Sequence, residues 1–371
     1  MKVLVTGGAG FIGSHLVDGL LAEGHEVRVL DSLEPQVHGP GRRPPAYLDP
    51  RAELMVGDVR DADAVGRALD GVEAVFHLAA AVGVAQSMYE IDRYVSANSL
   101  GAAVLLSGIV ARRDRIRKLV VASSMSLYGE GACRDAEGRM VWPGPRPLAR
   151  LEAGLWEPAD EAGCPLTPVP TPETKPLEPT SVYAVTKRDH EELFLVTGAA
   201  YGIPAVALRF FNTYGTRQAL SNPYTGLLAI VSARLMNGHS PIVFEDGGQL
   251  RDFVHVSDVV QANLLALESD KAAGRVYNVG SGRAFTVLEV TKLLAARLNP
   301  AVAPDIQARF RAGDIRHCFA DIAAIQADLG YRPGMTLEQG IEDLIPWVRA
   351  QQSADHVQTA LSDLERHALM H

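Results

Sequence analysis

The sequence is poor in cysteine and has no long hydrophobic run. Only three of its 371 residues are cysteine, Cys133, Cys164 and Cys318, and this odd, widely spaced set argues against a disulfide framework and favours a reducing compartment. No apolar stretch approaches the roughly 20 residues needed to span a bilayer. Met1 leads directly into a strand pattern instead of the charged region of a signal peptide. We therefore expect a cytoplasmic protein that does not bind a membrane.

Basic residues, lysine in particular, are also scarce. The formal net charge is −9, and the chain has 29 arginines but only six lysines. Nucleic-acid binding requires a basic surface, so no nucleic-acid partner is expected. Cys133 and Cys164 are too few for the four-ligand site that structural zinc requires, so no metal is expected either.

Short apolar runs alternate with helical patterns through the first 128 residues. This alternation is typical of βαβ units and of a parallel sheet covered by helices on both faces. The predicted strands are residues 2–5, 26–30, 74–78, 118–122 and 205–210. The predicted helices are residues 15–22, 61–68, 99–111, 181–200, 226–236, 256–268, 287–297 and 337–350. The sequence thus predicts an α/β fold, a Rossmann doubly wound parallel sheet with a smaller mixed α/β substrate-binding lobe.

Proline marks a break in this alternation. Ten of the 22 prolines lie between Pro143 and Pro179, where they prevent a long helix or a central strand. We expect a Rossmann domain at residues 1–220 that contains a proline-rich insertion or lid at 131–180. Residues 221–350 are expected to form mainly the substrate-binding lobe, with some chain returning to the Rossmann domain, and 351–371 a C-terminal helical tail.

A glycine-rich loop follows the first predicted strand. Gly7, Gly10 and Gly13 are spaced so that backbone N–H groups at a helix start can face a pyrophosphate. Asp31 closes the second strand 18 residues after Gly13, where a carboxylate accepts hydrogen bonds from an adenosine ribose and repels a 2′-phosphate. The pattern favours NAD over NADP, although a tight strand-to-helix turn alone also needs glycine.

A candidate catalytic set follows from spacing. Tyr183 and Lys187 lie one helical turn apart on the same face, and a nearby positive charge favours the phenolate form of tyrosine. Ser124 follows the apolar run 119–122, at the strand end where parallel sheets place their sites. The alternative for Tyr183 and Lys187 is a pair of ordinary helix-surface residues.

Three motifs carry a family resemblance that covers nearly the whole chain. Val121-Ala-Ser-Ser-Met-Ser-Leu-Tyr-Gly129, Tyr183-x-x-x-Lys187 and Arg209-Phe-Phe-Asn212 resemble the extended short-chain dehydrogenase/reductase family of sugar-nucleotide epimerases and dehydratases, particularly its UDP-glucose and dTDP-L-rhamnose 4-epimerase-like members. The resemblance implies an NAD-dependent 4-epimerase that inverts C4 of a UDP- or dTDP-hexose through a 4-keto intermediate and regenerates NAD.

Two further functions stay open beside the epimerase. The first is a nucleotide-sugar dehydratase or keto-sugar reductase on the same fold. The family's 4,6-dehydratases usually carry an Asp-Glu pair where Met125 and Ser126 stand, so epimerisation is favoured. The second is a non-catalytic NAD-binding sensor, which would not need Ser124, Tyr183 and Lys187 together.

The resemblance also implies contacts and an assembly. The expected NAD contacts are Gly7, Gly10, Phe11, Ile12, Gly13, Asp31, Ser32, Asp58, Val59, Leu78, Ala79, Ala80, Asn98, Tyr183, Lys187 and Phe210. The expected substrate contacts are Ser124, Ser126, Tyr183, Asn212, Thr225, Gly226, Leu227, Phe244, Arg251, Arg311, Asp314 and Cys318. Arg251 and Arg311 would bind the diphosphate, because a planar guanidinium suits phosphate oxygens. Arg316 fits a solvated surface charge as well as it fits a diphosphate contact. Helices near 99–111 and 181–200 are expected to form a homodimer interface.

Overall fold

The computed structural model describes residues 1–224, 226–311 and 313–371. Its central sheet has seven parallel strands in the order β7-β6-β5-β4-β1-β2-β3. These strands are β1 (Lys2–Thr6), β2 (Glu26–Asp31), β3 (Glu53–Val56), β4 (Ala74–His77), β5 (Lys118–Ser124), β6 (Ala205–Phe210) and β7 (Arg275–Val279). The order reverses between β1 and β4, and in such sheets ligands bind in the crevice outside the carboxyl ends at this point. The predicted Rossmann-type fold is confirmed.

Ten helices of seven residues or more surround the sheet or extend from it within the described chain. They are α1 (Phe11–Ala22), α2 (Ala62–Ala68), α3 (Gly101–Val110), α4 (Val182–Tyr201), α5 (Leu227–Met236), α6 (Val256–Glu268), α7 (Val287–Leu298), α8 (Ala323–Leu329), α9 (Leu337–Ala350) and α10 (Val357–Arg366). Shorter helical turns are Pro35–His38, Val84–Ser87, Ile91–Tyr94, Val95–Leu100, Met125–Tyr128, Leu148–Glu152 and Asp270–Ala272. None of the helices in the described ranges is both long and apolar enough to cross a membrane.

Apolar residues on both faces explain the layering. Leu16 of α1 and Val259 of α6 pack with Val5 on one face of the sheet, while Leu105 of α3 and Phe194 of α4 pack on the other. Each fully buried side chain of this size contributes about 1.5–3 kcal/mol to the free energy of folding. The central strands must therefore be apolar on both faces, which makes them recognisable in the sequence.

A second lobe has its own core, built by α5, α7 and α9. Short parallel pairs join Asn212–Tyr214 to Phe253–His255 and Ile242–Phe244 to Asp305–Gln307. A third small sheet places Leu250–Arg251 between Phe285–Thr286, antiparallel, and His317–Cys318, parallel. The chain returns to the Rossmann sheet through β7 between these segments.

The proline-rich segment after β5 contains a small antiparallel sheet, in which Cys133–Arg134 pairs with Met140–Val141 and with Thr167–Pro168. A group of mostly buried charges, here called the insertion network, joins the segment to the second lobe. Its members are Glu130, Arg146, Glu157, Glu245, Asp246, Arg316 and His317. Arg146 lies 3.1 Å from Glu130 and 2.8 Å from Glu245, and Arg316 lies 2.8 Å from Glu245. Because a buried charge is costly unless it is paired, these contacts hold the segment against the lobe.

Two expectations differ from the structure. Arg316 is not a surface charge, since only 2% of it is exposed and its guanidinium pairs with three carboxylates. The edge strand β3 was absent from the predicted elements. None of its four residues is fully buried, and Val56 is 64% exposed, so this short edge strand lacks the continuous burial of the central strands.

Candidate active site

The glycine loop between β1 and α1 forms one wall of the crevice. Gly7 has a φ of +71°, which favours glycine, and a Cβ on Gly13 would lie 2.2 Å from the Gly7 carbonyl oxygen. Gly10 is the N-cap of α1, whose cap has no side-chain hydrogen bond, so N–H groups of its first turn remain available to an anion. Only glycine fits at position 13, because a Cβ there would clash with the Gly7 main chain. The loop therefore suits a dinucleotide pyrophosphate.

Asp31 closes the second side of this cradle. Its Oδ2 accepts a hydrogen bond from the Ala9 N–H at 3.0 Å, and its Oδ1 accepts one from the Leu33 N–H at 2.9 Å. The carboxylate thus stands at the end of β2 against the glycine loop, where a ribose hydroxyl of NAD would lie.

The other predicted NAD contacts border the same crevice or bind the protein itself. Phe11 and Ile12 are in the first turn of α1, Ser32 follows β2, Leu78 to Ala80 follow β4, and Phe210 ends β6. Asp58 pairs with Arg60 at 2.6 Å, which lowers the pKa of the carboxyl. Val59 is buried next to Gly101. Asn98 is buried and bonds Ala81 N–H at 2.7 Å and Thr186 Oγ1 at 2.9 Å. Contact of each residue with NAD stays a prediction.

The structure brings the three predicted catalytic residues together. Ser124 ends β5, Tyr183 lies in the first turn of α4, and Lys187 follows one turn later. Helix α4 begins at this point because Ser181 caps it, accepting a hydrogen bond from the Ala184 N–H at 3.1 Å. Ser124 accepts a hydrogen bond from the Ser126 hydroxyl at 2.9 Å, and its own hydroxyl lies near enough to Tyr183 to lower the pKa of the phenol. A substrate hydroxyl beside Tyr183 would therefore meet both side-chain oxygens.

Burial dominates the electrostatics of this group. It raises the pKa of Tyr183 to about 12, against the opposing effect of the Ser124 hydrogen bond, and it lowers the pKa of Lys187 to about 7. Both shifts favour the neutral side chains. The expected lowering of the Tyr183 pKa by Lys187 therefore depends on the ligand-bound state, where a positive nicotinamide ring would add to the ammonium charge.

A pair of buried histidines, His77 and His190, lies behind Lys187 and was not predicted as a pair from the sequence. Lys187 Nζ is 3.3 Å from His190 Nδ1, the rings of His190 and His77 are 4.8 Å apart, and His77 Nδ1 is 2.8 Å from Thr6 Oγ1. Burial, with a smaller contribution from the Lys187 charge, lowers the pKa of His77 to about 3 and that of His190 well below its usual value. A neutral His190 can accept a hydrogen bond from Lys187. The i,i+3 spacing from Lys187 was the available signal.

An ion pair fixes α4 to the sheet. Arg209 of β6 donates from Nε to Glu191 Oε2 at 2.9 Å and from Nη1 to the Tyr128 hydroxyl at 2.7 Å. Glu191, four residues after Lys187, also accepts a bond from the Ser123 hydroxyl of β5 at 2.7 Å. The arginine of the Arg209-Phe-Phe-Asn212 motif thus holds the helix that carries Tyr183 and Lys187.

The predicted substrate contacts fall into two groups. Arg311 lies 2.8 Å from Asp314 and its guanidinium stacks on the Phe244 ring at 5.0 Å, so these three residues form one cluster in the second lobe. Arg251 instead donates to the main-chain oxygens of residues 250, 315 and 316 at 2.7 to 2.8 Å, and burial lowers its pKa. Its contact with a diphosphate stays a prediction.

The remaining predicted substrate contacts lie on several separate segments of the chain. Cys318 is fully buried, with Sγ 3.8 Å from Thr171 Oγ1, while Asn212 begins a short strand and Gly226 precedes Leu227, the first residue of α5. Thr225 lies outside the described residues. Among the described side chains, no three His, Cys, Asp or Glu are grouped as a metal site would need.

Comparison with known proteins defines the class. Residues 3–145 and 160–280 match the family model of the NAD-dependent epimerase/dehydratase family. The dTDP-L-rhamnose 4-epimerase of Burkholderia thailandensis is 38% identical over 349 residues, which cover 94% of each chain. The chain belongs to the NAD-dependent epimerase/dehydratase family, and NAD is its cofactor.

Solved structures agree with this assignment. A UDP-glucose 4-epimerase of Thermotoga maritima with UDP-glucose has a TM-score of 0.76 at 31% identity, and the match covers 94% of this chain and 99% of that one. A UDP-glucose 4-epimerase of Thermus thermophilus with NAD has a TM-score of 0.74 at 31% identity and coverages of 95% and 100%. The predicted family and cofactor are confirmed, and the predicted 4-epimerase activity agrees with the names of these relatives.

Proposed function

We propose that the chain is an isomerase, a nucleotide-sugar 4-epimerase that inverts C4 of a UDP- or dTDP-hexose without net oxidation. The observation that carries the proposal is the grouping of Ser124, Tyr183 and Lys187 beside the glycine loop. Met125 and Ser126, which follow Ser124, provide no carboxyl group for the acid/base steps of water elimination. The names of the three relatives reported above support epimerisation, and the Rossmann domain at 1–220 with a lobe mainly at 221–350 would enclose the substrate.

Each of the three side chains would have its own role in the reaction. NAD, when bound, supplies the group that accepts and returns a hydride. Tyr183 would remove the proton of the 4′-hydroxyl, and Ser124 would hydrogen-bond the same oxygen as its charge develops. Lys187, when protonated, would favour the Tyr183 phenolate and hold the nicotinamide ribose. Because all three residues are buried, these interactions would be stronger than in water.

Direct product analysis tests the proposal. The protein is incubated without added cofactor with UDP-glucose, UDP-N-acetylglucosamine, UDP-glucuronate or dTDP-L-rhamnose, and products are followed by NMR and NADH absorbance. We expect a C4 epimer without net NADH. Tyr183→Phe should lower the rate by about 10²-fold or more, since it removes the proton-transfer group. Tyr201→Phe, at the exposed end of the same helix, is the matched control.

Other outcomes would assign a different function. Sustained reduction of added NAD would indicate a dehydrogenase or reductase, and loss of water would indicate a dehydratase. Full biological function of Tyr183→Phe would favour a non-catalytic NAD sensor.

We also propose a cytoplasmic homodimer. Ile91, Val95 and Leu100 precede α3, Val185 and Val196 lie on α4, and between 44% and 69% of each is exposed. Apolar exposure at this density marks an interaction surface, and a second copy would cover it. Sedimentation should give twice the chain mass, and Val196→Glu should shift the equilibrium to monomers. The three free cysteines fit the reducing cytoplasm.

A further inference from the structure

The last residues of the chain form a segment that begins and ends on the second lobe. This segment, residues 353–371, is here called the strap. Near its start Asp355 Oδ2 lies 3.2 Å from Arg234 Nη1 and 2.6 Å from His239 Nδ1. At its end His371 exchanges two main-chain hydrogen bonds with Phe310, at 2.9 and 3.1 Å, and the two rings stack. Both ends of the strap are therefore attached to one lobe.

The middle of the strap reaches the Rossmann domain. Helix α10 and the turn after it pack Leu361, Leu364 and Met370 against side chains of both lobes, namely Ala85, Tyr89, Ile242 and Phe244. The His367 ring stacks on the Tyr89 ring at 4.7 Å between centroids. The contacts with Ala85 and Tyr89 are apolar and ring contacts, whereas hydrogen bonds hold the two ends of the strap on the second lobe.

The strap covers residues that were predicted from the sequence to bind the substrate. Phe244 packs against the strap, and the main chain of Arg311 forms an isolated antiparallel β-bridge with that of Met370. Leu364 and Leu369 face Arg311, Asp314, Ser181 and Met88 across a space of about 10 Å³, which is room for about one water molecule. A nucleotide diphosphate on Arg311 and Asp314 would need part of the volume that these leucines fill.

We propose that the strap is the gate of the substrate cleft: its contacts with Tyr89 and Ala85 open to admit the nucleotide and then close, bringing Leu364 and Leu369 against the bound ligand. The inference rests on the proposed function, because it takes Arg311 and Asp314 as nucleotide contacts. The physical reason is that entry and burial of one ligand at a closed surface require a segment that moves. The strap joins the two lobes at this point, and apolar and ring contacts connect it to Ala85 and Tyr89.

A reversible crosslink tests the gate. In a Cys164→Ser background, which removes the exposed thiol and leaves two buried ones, Tyr89→Cys and His367→Cys are joined by a short bis-maleimide with a reducible centre. We expect UDP and dTDP to associate at least about tenfold more slowly with the crosslinked protein, and reduction of the linker should restore the rate. The same reagent on the single His367→Cys variant is the control for modification alone.

The outcomes separate the two proposals. Equal association rates before and after linker reduction would overturn the gate while leaving the nucleotide site intact. No binding of UDP or dTDP in any form would overturn the proposed function itself. Hydrogen exchange of the unmodified protein gives a second measurement: strap amides 357–371 should exchange faster than those of α9 and slow down with UDP. Strap amides that exchange as slowly as α9 without UDP would contradict the gate.

Discussion

Replacement of Arg209 by methionine should lower the free energy of unfolding far more than the same replacement of Arg188, which forms an exposed ion pair. Arg209 and Glu191 are nearly inaccessible, with 5% and 4% of their side chains exposed. Arg209→Met leaves the Glu191 carboxylate buried, with only the Ser123 hydroxyl as a side-chain partner among the described residues. Removing one partner of a buried ion pair typically costs about 3–5 kcal/mol of the free energy of unfolding. Because Ser123 still donates, we expect about 3 kcal/mol.

The double variant Arg209→Met with Glu191→Met separates the charge effect from lost packing. It removes both ions from the interior, and such replacements are often neutral or stabilising, so most of the loss should be recovered. Arg188→Met is the matched control, because Arg188 lies on α4, the helix that also carries Glu191. Arg188 lies 2.7 Å from Glu192, but 43% and 55% of these side chains are exposed, and such pairs contribute only about 0.3–0.5 kcal/mol.

Urea denaturation followed by tryptophan fluorescence measures these differences, with the slope of the transition checked for each variant. A loss below about 1 kcal/mol for Arg209→Met would refute the view that a buried ion pair holds α4. A double variant as unstable as the single variant would show that the loss comes from packing and not from an unpaired charge.

Two further predictions concern the cofactor loop and the buried lysine. Gly13→Ala should weaken NAD binding by more than tenfold, on the order of 1.4 kcal/mol or more, because its Cβ would clash with the Gly7 carbonyl. Gly66→Ala, where nothing lies closer than 3.8 Å, should bind NAD normally in the same titration, and equal affinities would disprove the close-approach argument. Lys187 has a folded pKa of about 7 below its unfolded value of about 10.4, so the unfolded chain binds the extra proton between these values and wild-type stability rises with pH across that window. Lys187→Met should therefore be most stabilised relative to wild type below about pH 7, and a difference that does not shrink in urea titrations toward pH 10 would contradict the burial of an amine.

The parts of the site that were predictable are those with a local pattern. The spacing of Gly7, Gly10 and Gly13 and the helical turn between Tyr183 and Lys187 are set by the backbone geometry of one loop and one helix. Ser124 was predictable because a buried strand ends there. The fold followed from the same regularity, since strands buried on both faces must be apolar.

The parts that were not predictable depend on contacts between distant segments. Arg316 pairs with Glu157 and Glu245 across 159 and 71 positions of the chain, and local sequence cannot distinguish such an arginine from a surface one. The contact of His77 with His190 likewise needs β4 and α4 to be placed side by side. Arg251 has the chemistry of an anion ligand, yet the path of residues 315–316 places main-chain oxygens within its reach.

The insertion network has a consequence for the entropy of the site. The proline-rich segment runs from just after Ser124 to just before Tyr183. The two catalytic oxygens themselves are held by β5 and by the ion pair that fixes α4 to the sheet, so freedom of the segment would change their surroundings and not the distance between them. The free energy needed to close a chain segment grows only slowly with its length, and a long excursion is tolerated if its course is fixed. Arg146 and Glu157 fix it through Glu245 and Arg316 of the other lobe, which makes the segment a constant boundary. Changes in ligand size would then be accommodated on the side of the strap, while the spacing of the catalytic oxygens is preserved.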